Sequence, residues 1–413
     1  MQTVRFESIG IMAGGSETMT WKPANPELYS RAERIRQTGQ YSAAIPALIS
    51  NWLPTLSGSI VAHIEEAMQQ VSDFEEHARR VLGQDNPALG PMRSILLRTE
   101  SASSSQIERL TASAKQIALA ELGEESRSNS RAIVGNVRAM EAALALANDL
   151  GEASILEMHR ALMTDQTDLE SHEIGSFRIE QVWIGGGSAG PVLADFVPPR
   201  HERISVLMQD LTRFLKREDL PVLVQAAVGH AQFETIHPFV DGNGRTGRAL
   251  VHSLFRSRGL TSSNALPLSA GLLTATGRYF DALGSYRNGD AGPIVFEFSE
   301  AARFAAVTGK ALIESLAGEL EKSSELMSGV RSDASARKIL PLLIAHPVIN
   351  TAILRESFGF GEMASLRALD LLVSKGILRE LTGNRRKRIW QHSGILHILD
   401  DYAKKLKRAS LKP

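Results

Sequence analysis

Apolar residues recur at three- and four-residue intervals along most of the chain, with polar residues between them, and this spacing predicts a largely helical protein. The first two stretches with this pattern are ELYSRAERIRQTGQYSAAIPALISNWL (27–53) and GSIVAHIEEAMQQVSDFEEHARRVLG (58–83), expected to form packed amphipathic helices ending at the turn-rich GQDNPALGP (83–91). Further helices are predicted at 131–150, 153–165, 203–218, 222–236 and 247–259. The pattern breaks at GSFRIEQVWIGGGSAGPVLADFVPPR (175–200), where β-formers alternate with polar residues around a Gly/Ser-rich turn before a double proline. That predicts a short hairpin or extended flap, the one β element expected in the first 330 residues.

A long polar helix at 310–329 reads as a connector. Beyond it the order is helix, turn, helix, Gly-containing turn, helix, then two short strands around TGN, which is the order of a winged helix-turn-helix. The expected organisation is an N-terminal helical region (1–95), a helical core with the flap near 175–187 (96–310), a helical connector (311–332) and a winged-helix domain (333–413). No repeat or low-complexity tract interrupts it.

Composition narrows the class. With 413 residues, 43% hydrophobic, 22% charged and equal numbers of Lys+Arg and Asp+Glu, the chain is of ordinary globular type and long enough for two or three cores. The absence of cysteine excludes disulfides, Cys-based zinc sites and thiol catalysis. No signal-like or membrane-crossing run is visible, so a soluble cytoplasmic protein with no membrane partner is expected. The neutral total is polarised, however. From Asp333 onward there are 15 Lys/Arg against 7 Asp/Glu, a net of +8, so the C-terminal segment is a candidate for contact with an anionic partner.

The chemistry concentrates in HPFVDGNGRTGR, residues 237–248. Gly242 and Gly244 flank Asn243, allowing positive φ and close approach of the backbone to a ligand. A helix start follows, with unpaired N–H groups at the positive end of its dipole: a nest for phosphate oxygens, to which Asn243 adds an amide donor. Arg245 and Arg248, three apart, project from one helical face and suit a polyphosphate better than a single phosphate. Asp241 can ligate Mg²⁺, and His237 at the end of the preceding helix is the candidate general base. Phe239 anchors the loop. A metal cage built on His230 and His237 is poorly supported, since Asp241 is the only acid nearby.

This run resembles the signature of the Fic family, H-P-F-x-D/E-G-N-G-R-x-x-R, at every defined position, and GSFRIEQVWIGG…FVPP is similar to the flap that precedes it. The resemblance implies transfer of AMP from ATP, with Mg²⁺, to a Ser, Thr or Tyr hydroxyl of a target protein or of the enzyme itself, with release of pyrophosphate. His237 would take the hydroxyl proton and Asp241 would hold Mg²⁺. The ATP-binding run would be Gly242, Asn243, Gly244, Arg245, Thr246, Gly247 and Arg248, with Arg248 on the γ-phosphate. The target's main chain would add to the flap at Val182, Trp183, Ile184 and Gly185. Tyr279 is a candidate for the adenine side of the site, or a core residue.

Family members with an inhibitory helix carry S/T-x-x-x-E-G/N. Here SSSQIER, within an expected inhibitory helix near 101–121, supplies Ser104 and Glu108, and the resemblance implies a glutamate that competes with the γ-phosphate for Arg248. Arg109 departs from the usual Gly or Asn. In the C-terminal module, Met363–Lys375 would be the recognition helix and NRRKR (384–388) a basic wing for DNA or protein contact. Self-association and automodification are further expectations. The competing readings are a DNA-binding regulator whose core senses nucleotide, and a related enzyme that removes AMP or uses another nucleotide or phosphate donor.

Overall fold

The computed structural model describes residues 7–410, apart from 25, 126, 167–168, 263 and 383–386. In chain order the elements are β1 (Gly15–Trp21), α1 (Arg31–Arg36), β2 (Gly39–Ile45), α2 (Gly58–Leu82), α3 (Leu89–Ile107), α4 (Ala114–Glu121), α5 (Ser128–Ala145), α6 (Glu152–Met163), α7 (Ile204–Leu215), α8 (Val222–Ile236) and α9 (Asn243–Ser257). They continue with α10 (Leu268–Thr274), α11 (Thr276–Arg287), α12 (Gly292–Leu326), α13 (Ser335–Ala345), β3 (Val348–Ile349), α14 (Thr351–Phe358), α15 (Glu362–Ser374), β4 (Arg379–Glu380), β5 (Trp390–Gln391) and α16 (Ser393–Ser410). The protein is mainly α, as its periodicity predicts. Among the described residues no helix is long and apolar enough to cross a membrane.

Tertiary contacts divide the chain into two compact units. The first comprises Met1–Glu66, Arg138–Leu260 and Thr276–Glu300. At its centre α8 is buried on every face from Leu223 to Ile236 and packs against α7, α9 and α11. A helix buried all round must be apolar all round, and VLVQAAVGHAQFETI holds few polar residues beyond those with partners. Gln225, for example, donates to the carbonyls of Phe214 (2.8 Å) and Arg217 (2.9 Å). α7 shows the contrasting amphipathic pattern, burying Leu207, Leu211, Phe214 and Leu215.

The segment 27–53 corrects the helical expectation. Only α1 is helical there, and Gly39–Ile45 is a strand paired antiparallel with β1, from Gly15 opposite Ile45 to Trp21 opposite Gly39. The alternation of Tyr41 and Ala43 inward with Gln40 and Ser42 outward has period two, and Gly39 and Pro46 bound it. The flap at 175–200 is the lesser β element: one isolated bridge, Ile184 to Phe196.

The second unit comprises Ala67–Val137, Thr261–Ala275 and Ala301–Pro413. Its helix α3 packs on α10 and α13 and carries a run of buried small residues, Ser101 and Ser103–Ser105, of which the Ser101 carbonyl (2.9 Å) and the Ser105 hydroxyl (3.2 Å) accept from Asn136 Nδ2. Glu100 is satisfied by the backbone N–H (2.9 Å) and hydroxyl (2.5 Å) of Ser269, and Arg98 makes a two-pronged pair with Glu121. Towards the C-terminus, α13, α14, α15, β4 and β5 follow in the expected order, the expected turn between α13 and α14 holds the two-residue strand β3, and the strands form one antiparallel sheet, β3-β5-β4. Asn384 to Arg386 of the expected basic wing lie outside the described residues. Arg388 is engaged within the unit, on Glu380 (2.7 Å), Asp370 (3.1 Å) and the face of Trp390 (4.7 Å).

Candidate active site

Residues 237–248 join α8 to α9 within the first unit. His237 ends α8 in the left-handed region (φ 51°, ψ 61°), its N–H still bonded to the Phe233 carbonyl at 2.9 Å. A non-glycine residue is strained there and persists where its surroundings hold it. Arg178 supplies the fixing. Its Nε donates to the His237 carbonyl (2.9 Å), its backbone N–H to Pro238 (2.9 Å), and its two terminal nitrogens to the carbonyls of Glu180 and Pro199 (2.6 Å each). One buried guanidinium therefore ties the histidine to both arms of the flap.

Burial, with the Arg178 charge beside it, pushes the His237 imidazole down to about 4. The ring is neutral at pH 7 and able to accept a proton. His159 was not singled out in the sequence, yet it braces the same loop: its Nδ1 accepts from the Gly175 N–H (3.0 Å), so its Nε2 carries the proton and faces the Asp241 carbonyl at 3.1 Å. Its ring stacks on Phe239 with centroids 3.8 Å apart. The signal for both residues was faint, because each acts on backbone carbonyls far along the chain.

Gly242 caps α9 with φ 76°, and a Cβ there would lie 2.1 Å from Met163 Cε and 2.9 Å from Leu162 Cδ2, so the position admits glycine alone. No side chain caps the start of α9, and a helix start of this kind is suited to receive an anion. Asn243 is used differently from the expectation. Its Oδ1 accepts from the Phe239 N–H and its Nδ2 donates to the Phe239 carbonyl, both at 2.9 Å. The side chain thereby fixes the shape of the turn. Arg245 reaches back to Asp241 (3.2 Å), while the Asp241 carboxylate is largely exposed. Arg245, Thr246 and Arg248 are buried, and Gly247 lets α9 approach α8, where a Cβ would meet Phe233 at 2.9 Å.

Residues 149–255, spanning the loop, the flap and their supporting helices, match the model of the Fic/DOC family. The chain carries a Fic/DOC domain. Over 108 residues it is 37% identical to a protein adenylyltransferase Fic of Drosophila erecta, covering 25% of this chain and 19% of that protein. Over 114 residues it is 36% identical to the protein adenylyltransferase Fic of Drosophila melanogaster, covering 27% of this chain and 21% of that one. The chain thus spans about a fifth of the length of these curated relatives. Among solved structures, a Fic family protein from Desulfovibrio desulfuricans G20 shares the fold with a TM-score of 0.50 and 21% identity, over 82% of this chain and 97% of that one.

Within the Fic domain, Ile184 bonds both ways to Phe196 (2.9 and 3.2 Å) and its carbonyl also accepts from Asp195 (2.8 Å). Ile184 is an isolated bridge, and Gly185 and Gly186 leave it in the left-handed region (φ 77° and 75°) to form the flap turn. The Val182 carbonyl accepts from Gln181 Nε2 at 3.0 Å. Tyr279 is buried, with its hydroxyl 2.7 Å from His230 Nε2, and the exposed ring at this turn of α11 is its neighbour Phe280. A cavity of about 890 Å³ is walled by β1, β2 and residues 191–197, with Thr235, Tyr286 and Arg287 among its lining. Arg287 stacks over Phe196 at 3.6 Å.

Ser104 and Glu108 belong to the second unit. Ser104 is buried in α3 and Glu108 is its C-terminal cap. Arg109 follows with φ 64°, and Leu110 and Arg109 donate to the carbonyls of Ser105 (3.0 Å) and Gln106 (2.9 Å). These are the two bonds of a Schellman closure, at whose left-handed position glycine is the usual residue. The departure seen at Arg109 in the sequence therefore has a definite backbone consequence.

Proposed function

We propose that this protein is a protein adenylyltransferase. It would transfer AMP from ATP to a Ser, Thr or Tyr hydroxyl of a target protein or of itself. The observation that carries the reading is a neutral His237 imidazole held beside an uncapped, glycine-started helix that also bears Arg245 and Arg248. His237 takes the proton of the target hydroxyl as its oxygen attacks the α-phosphorus, and the bond to the bridging oxygen breaks to release pyrophosphate. The N–H groups of Gly244 and Arg245 bind and orient phosphate oxygens, and the two guanidiniums offset the charge that develops. Asp241, an exposed hard-oxygen donor at the mouth of the loop, fits Mg²⁺, which takes one or two carboxylates together with substrate phosphates. When bound, that ion neutralises phosphate charge.

In this reading Glu108 is a brake at the end of α3, and α13 to β5 are a winged helix that contacts DNA or protein. The deciding experiment is incubation with Mg²⁺ and α-labelled ATP, comparing wild type, His237→Ala and Glu108→Gly. An AMP adduct lost at least a hundred-fold in His237→Ala and increased in Glu108→Gly is expected, since a general base contributes roughly 10²–10⁴-fold. ATP binding without any adduct in any variant would favour the nucleotide-sensing reading.

A further inference from the structure

The flap is held by a part of the chain far from the motif. Gln37, 3% exposed, spends both ends of its amide on the flap turn: Nε2 donates to the Gly186 carbonyl (2.6 Å) and Oε1 accepts from the Val192 N–H (3.1 Å). Trp21 Nε1 donates to the Ala189 carbonyl (3.0 Å) and the Tyr29 hydroxyl to that of Ser188 (3.1 Å). Trp21 also meets Trp183 edge-on, with ring centroids 5.2 Å apart, and lies so close to Gly190 that a Cβ there would sit 2.3 Å from the indole nitrogen. The Ala44 N–H donates to the Val197 carbonyl (3.0 Å), which places the return arm of the flap beside β2. Tyr41, Ala43 and Val197 form a small apolar core, with Trp21 and Trp183 packed against it.

A Gly-rich turn such as IGGGSAG has high backbone entropy, and its docking edge must be extended before another strand can add to it. We propose that β1, β2 and the segment between them are a clamp that holds the flap ready, with Gln37 as its central positioning residue and Trp21 and Tyr29 as its supports. The segment leading into the turn, Val182 and Trp183, is thereby offered to an extended segment of the target without an ordering cost at encounter. The clamp's contribution to target docking rests on the adenylyltransferase reading. Its hold on the flap does not.

The test is hydrogen exchange of the flap peptide in the full chain, for wild type, Gln37→Ala, Gln37→Glu, Gly190→Ala and Tyr29→Phe. Loss of two buried hydrogen bonds in Gln37→Ala should speed exchange between residues 184 and 196 by about ten-fold or more, while α8 and α9 keep their protection. Gln37→Glu, which retains the acceptor for Val192, should recover part of it. With α-labelled ATP and a degenerate peptide pool bearing one Thr or Tyr, the apparent KM for the acceptor should rise several-fold while that for ATP holds within two-fold. Unchanged flap exchange in a folded Gln37→Ala overturns the clamp. Should that variant fail to fold, Gly190→Ala and Tyr29→Phe read the same segment, and unchanged exchange in both overturns it equally. If no variant, wild type included, forms an AMP adduct, the adenylyltransferase reading falls while the exchange result still decides the clamp.

Discussion

Two helices end on a residue that is not glycine yet has positive φ: α8 at His237 (51°) and α3 at Arg109 (64°). The likeness stops at the backbone. At Arg109 the turn is closed by its own neighbours, through the carbonyls of Ser105 and Gln106, and the side chain points into solvent. At His237 the holding groups come from Arg178, 59 residues earlier, and the half-buried ring lies beside the start of α9. A left-handed residue closed locally is a helix stop that glycine would serve better. One held from a distance in a site of this kind marks a conformation that the fold maintains for its side chain.

The contrast is broken most severely by Arg178→Met. The carbonyls of His237, Glu180 and Pro199 would each lose a charged donor, fully buried at Pro199 and partly at the other two, at a cost of about 3 kcal/mol in stability. His237 would no longer be fixed, so adduct formation should fall by about a hundred-fold even at a temperature where the variant remains folded. Chemical denaturation and α-labelled ATP transfer measure the two losses separately. Retention of full transfer by a folded variant would show that His237 holds its own conformation.

The same distinction explains what could be read in the sequence. HPFVDGNGRTGR was legible because the proposed nest and base and the two guanidiniums lie within twelve consecutive residues, so sequence spacing and spatial spacing coincide. Arg178 and His159 carry no comparable pattern, since they bind backbone carbonyls, which every residue has. The helices α6 to α9 followed from periodicity. The pair β1 and β2 did not, because seven residues such as GQYSAAI satisfy short helical and strand templates alike, and only the partner strand decides. Asn243 was read as an amide donor to a ligand; the contact the sequence did not reveal is the one both ends of that amide make with the Phe239 peptide.

A second, intermediate effect comes from pH. Burial pushes His237 down to about 4 and His230 to about 3, against an ordinary value near 6.5. Between those values the unfolded chain takes up protons that the folded chain refuses. Their contribution to stability is therefore complete above pH 6.5 and is lost as pH falls towards 4, by ~1 kcal/mol per pH unit for each ring. The melting midpoint should drop steadily over that window, and His237→Gln should shallow the decline. A midpoint independent of pH between 6.5 and 4 would contradict burial of both imidazoles in neutral form.

The smallest effect sharpens the other half of the comparison. Arg109→Gly places at the left-handed position of α3 the residue that adopts it without a Cβ penalty, and leaves the two closing bonds intact. The expected outcome is a gain of about 1 kcal/mol, since positive φ costs an ordinary L-residue roughly 1–2 kcal/mol and the added freedom of glycine in the unfolded chain offsets part of it. The same substitution at His237 would relieve the same backbone penalty and destroy the proposed base. Stability measured by denaturation should therefore rise for Arg109→Gly with adduct formation retained, whereas His237→Gly should lose transfer whatever its stability does. A destabilised Arg109→Gly would mean that the arginine side chain itself helps to hold the end of α3, and the two left-handed residues would then differ in degree rather than in kind.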